Sequence, residues 1–432
     1  MTRLPGSAAQ AGGSLSRGSG ETPNTLAMLG ALCFFLSALE YLIPKPLPFM
    51  RIGLANMPLL LALNVLGVRD FFVLVVLKIA GQGLIGGTFL SFVFLFSIVG
   101  TFASAAVMYA LGALPGKLRF GFVGISCAGA MVSNTAQLLV ARHLLFGAAA
   151  RYLAPPFLAA GFVAGVALGI ICEYFCRSSQ WRRMRARGGE ADGLSAADAV
   201  AAQSELVARD EARGLRRESR LSGLFRADEL FVAGLLMALV FLHDRSMPGH
   251  FMQLLFFCAL AWFFGKKNNP LVTAVFMAGI VFFNLLAPHG RVLFSLGPLS
   301  VTQGSLLVGL ERAVTLTGLL MLSRACVRSD LRLPGAAGSL LAETLRLLEL
   351  MRGRKPAFAR GLRFWRAEDR GHAIAEIDRM MLELEAEPRD GNAGAVREKP
   401  RRSAKGVLLL ALMIALTAAI GFAPQVFARL FA

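Results

Sequence analysis

Nowhere in its 432 residues does the chain carry two adjacent aspartates. A DDxxD-type cluster holding Mg²⁺ on a diphosphate is therefore excluded, and chemistry of that kind with it. There is no GxxxxGK[ST], so the chain does not hydrolyse ATP through a P-loop, and any nucleotide energy must come from partners. No CxxC pair occurs. The six cysteines (33, 127, 172, 176, 258 and 326) lie mostly inside apolar runs. Cys172 and Cys176 are one helical turn apart without a His or acidic pair beside them, which reads as small hydrophobes rather than metal ligands. No two histidines have haem or zinc spacing; His243 and His250 flank a short turn and are expected to be solvated. The first 24 residues, Gly/Ser-rich and polar, lack a cleavable signal pattern and read as a disordered tail. The period-2 alternation of a membrane barrel is missing. Catalysis, a cofactor and a bound metal are accordingly not expected.

Acidic residues are also scarce: 27 Asp plus Glu against 45 Lys plus Arg, a net charge of +18. Such a balance often points to nucleic acid. Here the basic residues cluster between apolar stretches, which is the positive-inside pattern of a membrane protein, and no nucleic-acid partner is expected. The chain is 56% hydrophobic with a mean hydropathy of +0.60. A soluble domain this apolar would expose large sticky patches, and several runs are long enough to cross a hydrocarbon core of about 30 Å. The composition predicts an all-α integral membrane protein.

The hydropathy pattern divides the chain into a disordered cytoplasmic tail (1–24), a six-span membrane domain (25–176), a charged linker (177–228), a four-span domain (229–326), cytoplasmic amphipathic helices (327–404) and a final span (405–432). The first six spans fall near 26–43, 54–67, 70–88, 91–113, 121–142 and 154–175, the next four near 229–242, 251–264, 270–287 and 304–325, and the last near 406–422. In LAETLRLLELM and AIAEIDRMMLELEAE apolar residues recur every three to four positions, as in helices with one buried face. With the N-terminus in the cytoplasm, GVRD, LPGKLR, the linker, GKKNNP, RACVRSDLR and EKPRRSAKG all fall inside. That orientation places the protein in a bacterial inner membrane with its positive charge inward.

In this topology the polar residues of the first domain converge on its outer half. Glu40 lies near the outer end of span 1. The loop IPKPLPFM, stiffened by three prolines, leads into RIGLANMP (51–58) with Arg51 and Asn56. Lys78 is about 12 Å along span 3 from its inner end, and Gln82 is one turn further out. Asn134 and Gln137 occupy the outer half of span 5, with Arg142 at its end. Ionisable groups at such depth are costly and mark a ligand, a partner or a pathway. Read singly, Lys78 snorkels, Arg51 pairs with Glu40, Asn56 caps a helix and Asn134 bridges helices. Read together, Glu40, Arg51, Asn56, Lys78, Gln82, Asn134, Gln137 and Arg142 line an outward-open pocket. Lys45, Arg51, Arg142 and Arg151 surround its mouth with charge that attracts an anionic solute.

Small residues form a second pattern: Ala27 and Ala31 on one face of span 1, GQGLIGG in span 3 and GFVAGVALG in span 6. Such faces let helices approach closely, either inside one bundle or against another membrane subunit.

The stretch from about 27 to 175 resembles the Gx transporter family, also called heptaprenyl diphosphate synthase component I. The likeness runs through the Pro-rich loop, RIGLANMPLLLALNVLG, GQGLIGGTF, AGAMVSNTAQLLVA and the Pro-containing start of span 6. That family is in turn similar to the substrate-binding S-components of energy-coupling-factor (ECF) vitamin transporters. The resemblance implies six helices, an outward site under a first external loop that acts as a lid, and an AxxxA face, here Ala27 and Ala31, that meets a transmembrane T-component. The C-terminal half is similar in layout to a T-component, whose coupling helices carry Ala-Arg-Gly motifs docking on paired ATPases. Ala359, Arg360 and Gly361 match one such motif. An Arg fork on an acidic groove is a sound anchor; the second copy is represented only by Asp369, Arg370 and Gly371. A basic helix lying on anionic lipid is the rival reading of this region. The expected function is a membrane transporter subunit, contacting lipid, taking a vitamin-like or anionic solute and coupling to cytoplasmic ATPases. Two alternatives rest on the same resemblance: a scaffold or quinone- or flavin-handling component of a redox or extracellular electron-transfer system, and an accessory membrane subunit of a polyprenyl diphosphate synthase.

Overall fold

The computed structural model describes residues 21–40, 53–63, 65–115, 120–186, 225–244, 246–266, 269–296, 299–328, 336–352, 367–386 and 404–430. The described chain is almost wholly helical. The first unit comprises α1 (Glu21–Glu40), a 3₁₀ turn (Leu54–Asn56) running into α2 (Met57–Ala62), α3 (Val68–Gly86), α4 (Phe92–Gly112), α5 (Phe122–Ala141), α6 (Ala150–Ser178) and the short α7 (Gln180–Ala186). The second comprises α8 (Ala227–His243), α9 (Met247–Phe263), α10 (Pro270–Leu285), a hairpin of β1 (Val292–Leu296) and β2 (Leu299–Thr302), α11 (Gln303–Cys326), α12 (Ala336–Arg352), α13 (Ala367–Ala386) and α14 (Ala404–Leu430). The helical stretches Phe92–Gly112, Phe122–Ser178, Gln303–Cys326 and Ala404–Phe422 are long and apolar enough to cross a membrane. The protein is an all-α integral membrane protein.

Two elements differ from the sequence expectation. The predicted span 54–67 is helical only over Leu54–Asn56 and Met57–Ala62. Six residues rise about 9 Å, well short of a crossing. Gly53, at φ 84, enters in the left-handed region, and Gly67 precedes α3 in an extended conformation, so regular helix stops at both ends. The second difference is the antiparallel β1–β2 hairpin, which pairs Val292 with Thr302 and Leu296 with Leu299 inside what reads as a loop.

Close approaches fix how the helices run. A Cβ at Gly30 would meet Leu77, one at Gly81 would meet Phe34, and Ser37 bonds Gln82, so α1 and α3 lie parallel. On α6, Cβ atoms at Gly165 and Gly169 would come within 3.0 Å of Cys127 Cα and 2.4 Å of Val123 Cα. The glycine face of GFVAGVALG thus seats α6 directly on the α5 backbone inside the bundle. Between these helices, a π-helical turn (Arg142–Phe146) and Gly147, at φ 52, reverse the chain.

From Thr25 to Glu40, α1 is buried on every side. Apart from Thr25, Ser37 and Glu40 this stretch is apolar all round, as a central helix must be. One of its covers is α12, which buries Leu341, Thr344, Leu347, Leu348 and Met351, a stripe at helical spacing. Ile377, Met380 and Met381 of α13 join the same core as α1, α2 and α3. A second core lies between α8, α9 and α11, with Leu410 of α14. A third joins the end of α5 and start of α6 to α10 and α11. The two units meet there, where Phe146 packs edge-on to Phe283 at 6.0 Å, and again beside the second core, where Leu90 N–H donates to Ser323 Oγ at 3.0 Å.

Candidate functional site

The polar residues singled out in the first unit fall into two groups. The first is built by α1, α3, α4 and the 3₁₀ turn. Lys78, 3% exposed in the middle of α3, donates from Nζ to Asn56 Oδ1. Gly53 and Pro58 bracket Asn56 and tie its turn to the head of α2, which holds the amide over α3. One turn along α3, Gln82 is saturated on both sides of its amide. Ser97 Oγ donates to Gln82 Oε1 at 3.0 Å, and Gln82 Nε2 donates to Ser37 Oγ at 3.2 Å. Ser37 Oγ in turn donates to Cys33 O at 2.7 Å. The relay runs from α4 through α3 into the α1 backbone. Glu40, buried at the end of α1, lies one turn beyond Ser37.

The second group sits on α5. Asn134 Nδ2 donates to Phe157 O of α6 at 2.9 Å. A Cβ at Gly161 would lie 2.0 Å from that nitrogen, so the amide occupies the space a side chain would fill. Gln137 Nε2 donates to Ser133 Oγ at 3.0 Å and nests against Gly100 of α4. The two groups are linked through α4: Ser97 engages Gln82, and Gly100, about one turn on, receives Gln137. Arg142 opens the π turn and is exposed, and has no bond to either group among the described contacts. Arg51 lies outside the described residues, as do Ala359, Arg360 and Gly361.

The site therefore contains a buried ammonium bonded to the Asn56 amide, a buried carboxyl group at the end of α1 and a hydrogen-bonded relay. Charge at this depth is costly and calls for strong acceptors around the ammonium. The relay has the opposite character: Gln82 and Ser37 use both donors and acceptors, so they fix the spacing of α1, α3 and α4. Ser37 and Ser97 escaped the sequence reading because a lone serine in an apolar span is a weak signal.

Ala27 and Ala31 are buried by the chain itself. At Gly30, between them, a Cβ would lie 3.0 Å from the Thr344 methyl of α12. Beside the face that the resemblance assigns to a T-component, Gly30 is thus enclosed by Leu77 of α3 and Thr344 of α12. A further contact escaped sequence reading. Asp378 of α13 accepts from Ser179 Oγ, from Gln180 N–H at 2.7 Å and from Trp181 N–H at 3.2 Å. It caps α7 in trans, while Glu385 receives the Trp181 indole N–H at 2.5 Å.

One expectation is corrected. His250 is buried, not solvated. Its ring packs on Phe241 at 4.8 Å and bonds the Phe241 carbonyl, and α9 turns it inward. His243 is exposed as expected. The cysteines form no disulfides, and no group of three or more His, Cys, Asp or Glu suited to a metal occurs among the described residues.

Fold and site together define a polytopic helical membrane protein whose first unit encloses a charged polar cluster. Residues 29–175 match the family model described as heptaprenyl diphosphate synthase component I, the family that the Gx resemblance names. Residues 230–329 match a domain of unknown function. No curated protein and no solved structure matches the chain.

Proposed function

We propose that the protein is a membrane transport component of ECF type in which the solute-binding and coupling units share one chain. The first unit takes a small anionic or vitamin-like solute from outside. The N-terminus and helices α12 and α13 face the cytoplasm of a bacterial cell, where the segment around Arg360 docks on separate ATPase subunits.

The observation that carries this reading is the double grip of the amphipathic helices on the first unit. The apolar face of α12 lies along α1, and Asp378 of α13 holds the start of α7. A shift of α12 and α13 would be transmitted to α1, and hence to the Ser37–Gln82–Ser97 relay beside Lys78. Coupling needs such a joint, with contacts that differ between outward and inward states. Lys78 supplies the attraction for an anion, and the cationic mouth steers it.

The test is affinity capture of ATPase subunits from membranes of the native host, with Arg360→Glu as control. Capture that this substitution abolishes supports coupling. No ATPase, or capture indifferent to the substitution, rejects it. Native mass spectrometry of the purified protein then identifies the solute: an anionic or vitamin-like small molecule leaving with the chain supports the binding role, and a quinone favours the redox alternative.

A further inference from the structure

A second buried polar cluster, in the other unit, plays no part in the reading above. It forms where α8 turns into α9, beneath α14. Asp244 follows α8 and is buried; its Oδ1 accepts from Ser246 N–H at 2.9 Å and Ser246 Oγ at 3.0 Å. His250 lies in the first turns of α9 and is 5% exposed. Its Nε2 is 2.9 Å from Phe241 O. A carbonyl can only accept, so Nε2 carries a proton, and in the Nε2–H tautomer Nδ1 carries a lone pair. Gln253 is on the same face one turn further, 0% exposed, and its Nε2 donates to Thr417 O of α14 at 2.9 Å.

What remains is one-sided. His250 Nδ1 and Gln253 Oε1 are both buried and have no hydrogen-bond partner. Both atoms are acceptors; the ring donor and one of the two amide donors point at backbone carbonyls. The cluster is drawn together by Gly421 of α14. A Cβ there would fall 2.5 Å from Gln253 Nε2 and 3.1 Å from Asp244 Oδ2, so the amide and the carboxylate flank one point. Buried acceptors without donors, beside a carboxylate, are complementary to a group that is positive and brings either hydrogen-bond donors or empty coordination sites.

We propose that Asp244, His250 and Gln253 form a binding site for a small monovalent cation. Sodium and ammonium share the required chemistry: each is compact, positive and able to engage nitrogen and oxygen lone pairs at once. The absence of a side chain at Gly421 gives α14 its close seat on the cluster. The proposal stands independently of the solute assigned to the first unit, since the cluster is built wholly from the second.

The experiment is thermal unfolding of the full-length protein in lipid nanodiscs at fixed pH and ionic strength. Sodium chloride, ammonium chloride or N-methyl-d-glucamine chloride is varied in turn. The expected result is a saturable rise in Tm with sodium or ammonium but not with the bulky cation. The response to one salt alone identifies which ion the site takes. Gln253→Met and Asp244→Asn should each weaken the apparent affinity by about tenfold or more, and His243→Ala, on the exposed end of α8, should leave it unchanged. If either variant fails to fold, binding of radioactive sodium to the wild-type protein, competed by ammonium but not by N-methyl-d-glucamine, replaces the comparison. Equal effects of all three salts, stability that follows pH alone, or the absence of competable binding would overturn the proposal and leave the cluster to ordered water.

Discussion

The carboxylate of Asp378 and the backbone N–H of Gln180 meet at 2.7 Å, joining residues from opposite halves of the chain. The same carboxylate also takes the Ser179 hydroxyl and the Trp181 N–H, so a single buried side chain closes the first turn of α7. A charged acceptor at a helix start is favoured by both the unpaired N–H groups and the helix dipole.

Asp378→Ala would strip three donors of their acceptor while leaving the apolar contacts of α13 in place. Buried donors without a partner cost about 1–3 kcal/mol. The expected outcome is release of α13 and faster amide exchange over 179–186 and 374–386, with exchange in α5 and α6 unchanged. Asp378→Asn, which keeps one acceptor oxygen, should fall between wild type and alanine. Equal exchange in all three proteins would show that the apolar contacts alone hold α13.

The pattern of helices was open to sequence reasoning because it rests on apolar run length, and α12 because its buried positions repeat at helical spacing. Partners were not. An apolar helix surrounded by protein and one surrounded by lipid read alike, so nothing in α1 announces that α12 covers it. The glycines of GFVAGVALG announce a close approach but not to what, and the answer is α5. Lys78 stood out because charge in a span is rare. His250 was misread because its distance from a turn is visible in sequence, whereas Gly421 and Thr417, which close over its cluster, lie more than 160 positions away on α14.

The glycines of α6 should rank by what their missing side chains would strike. At Gly169 a methyl would press on the Val123 backbone at 2.4 Å, and backbone cannot step aside. At Gly161 it would strike the far end of Asn134, which can rotate away at the loss of its bond to Phe157 O. Gly169→Ala is expected to cost about 1–3 kcal/mol as an overpacking substitution. Gly161→Ala should cost less, about 1 kcal/mol, the worth of one hydrogen bond. Thermal unfolding in detergent gives the order directly, and the reverse order would mean that the Asn134 bridge matters more than the α5–α6 seat.

Arg312 joins the two units at another depth. From α11 its guanidinium donates to Leu145 O in the π turn and to Asn284 Oδ1 of α10 at 2.8 Å. Leu145 O belongs to a segment whose regular helical pairing is interrupted, so the Arg supplies a donor where the backbone ladder is irregular. Arg312→Met should keep the volume but leave both acceptors wanting, with faster exchange over 142–149 and a lower Tm. Arg312→Lys should recover only part of this, because both bonds come from the terminal nitrogen Nη1, at the end of a longer side chain than lysine's. Full rescue by lysine would show that charge alone matters at this joint.

Lys78 and Asn56 separate a binding role from a purely structural one. Asn56→Asp offers Lys78 a charged acceptor of the same shape in place of a neutral one. A buried ammonium gains from that exchange, so the fold should hold or strengthen. An anionic solute, by contrast, would then face a carboxylate already occupying its counter-charge. Its affinity should drop by about tenfold or more, or about 1.4 kcal/mol. Lys78→Met removes the charge and should abolish solute retention while keeping the bundle, because methionine fills the same apolar channel. Solute co-purification followed by native mass spectrometry, run beside thermal unfolding, reads both quantities on the same samples. Loss of solute with stability retained in Asn56→Asp places Lys78 against the ligand. Loss of stability with solute retained would make the pair a helix bridge, and the pocket would have to be sought elsewhere on α5.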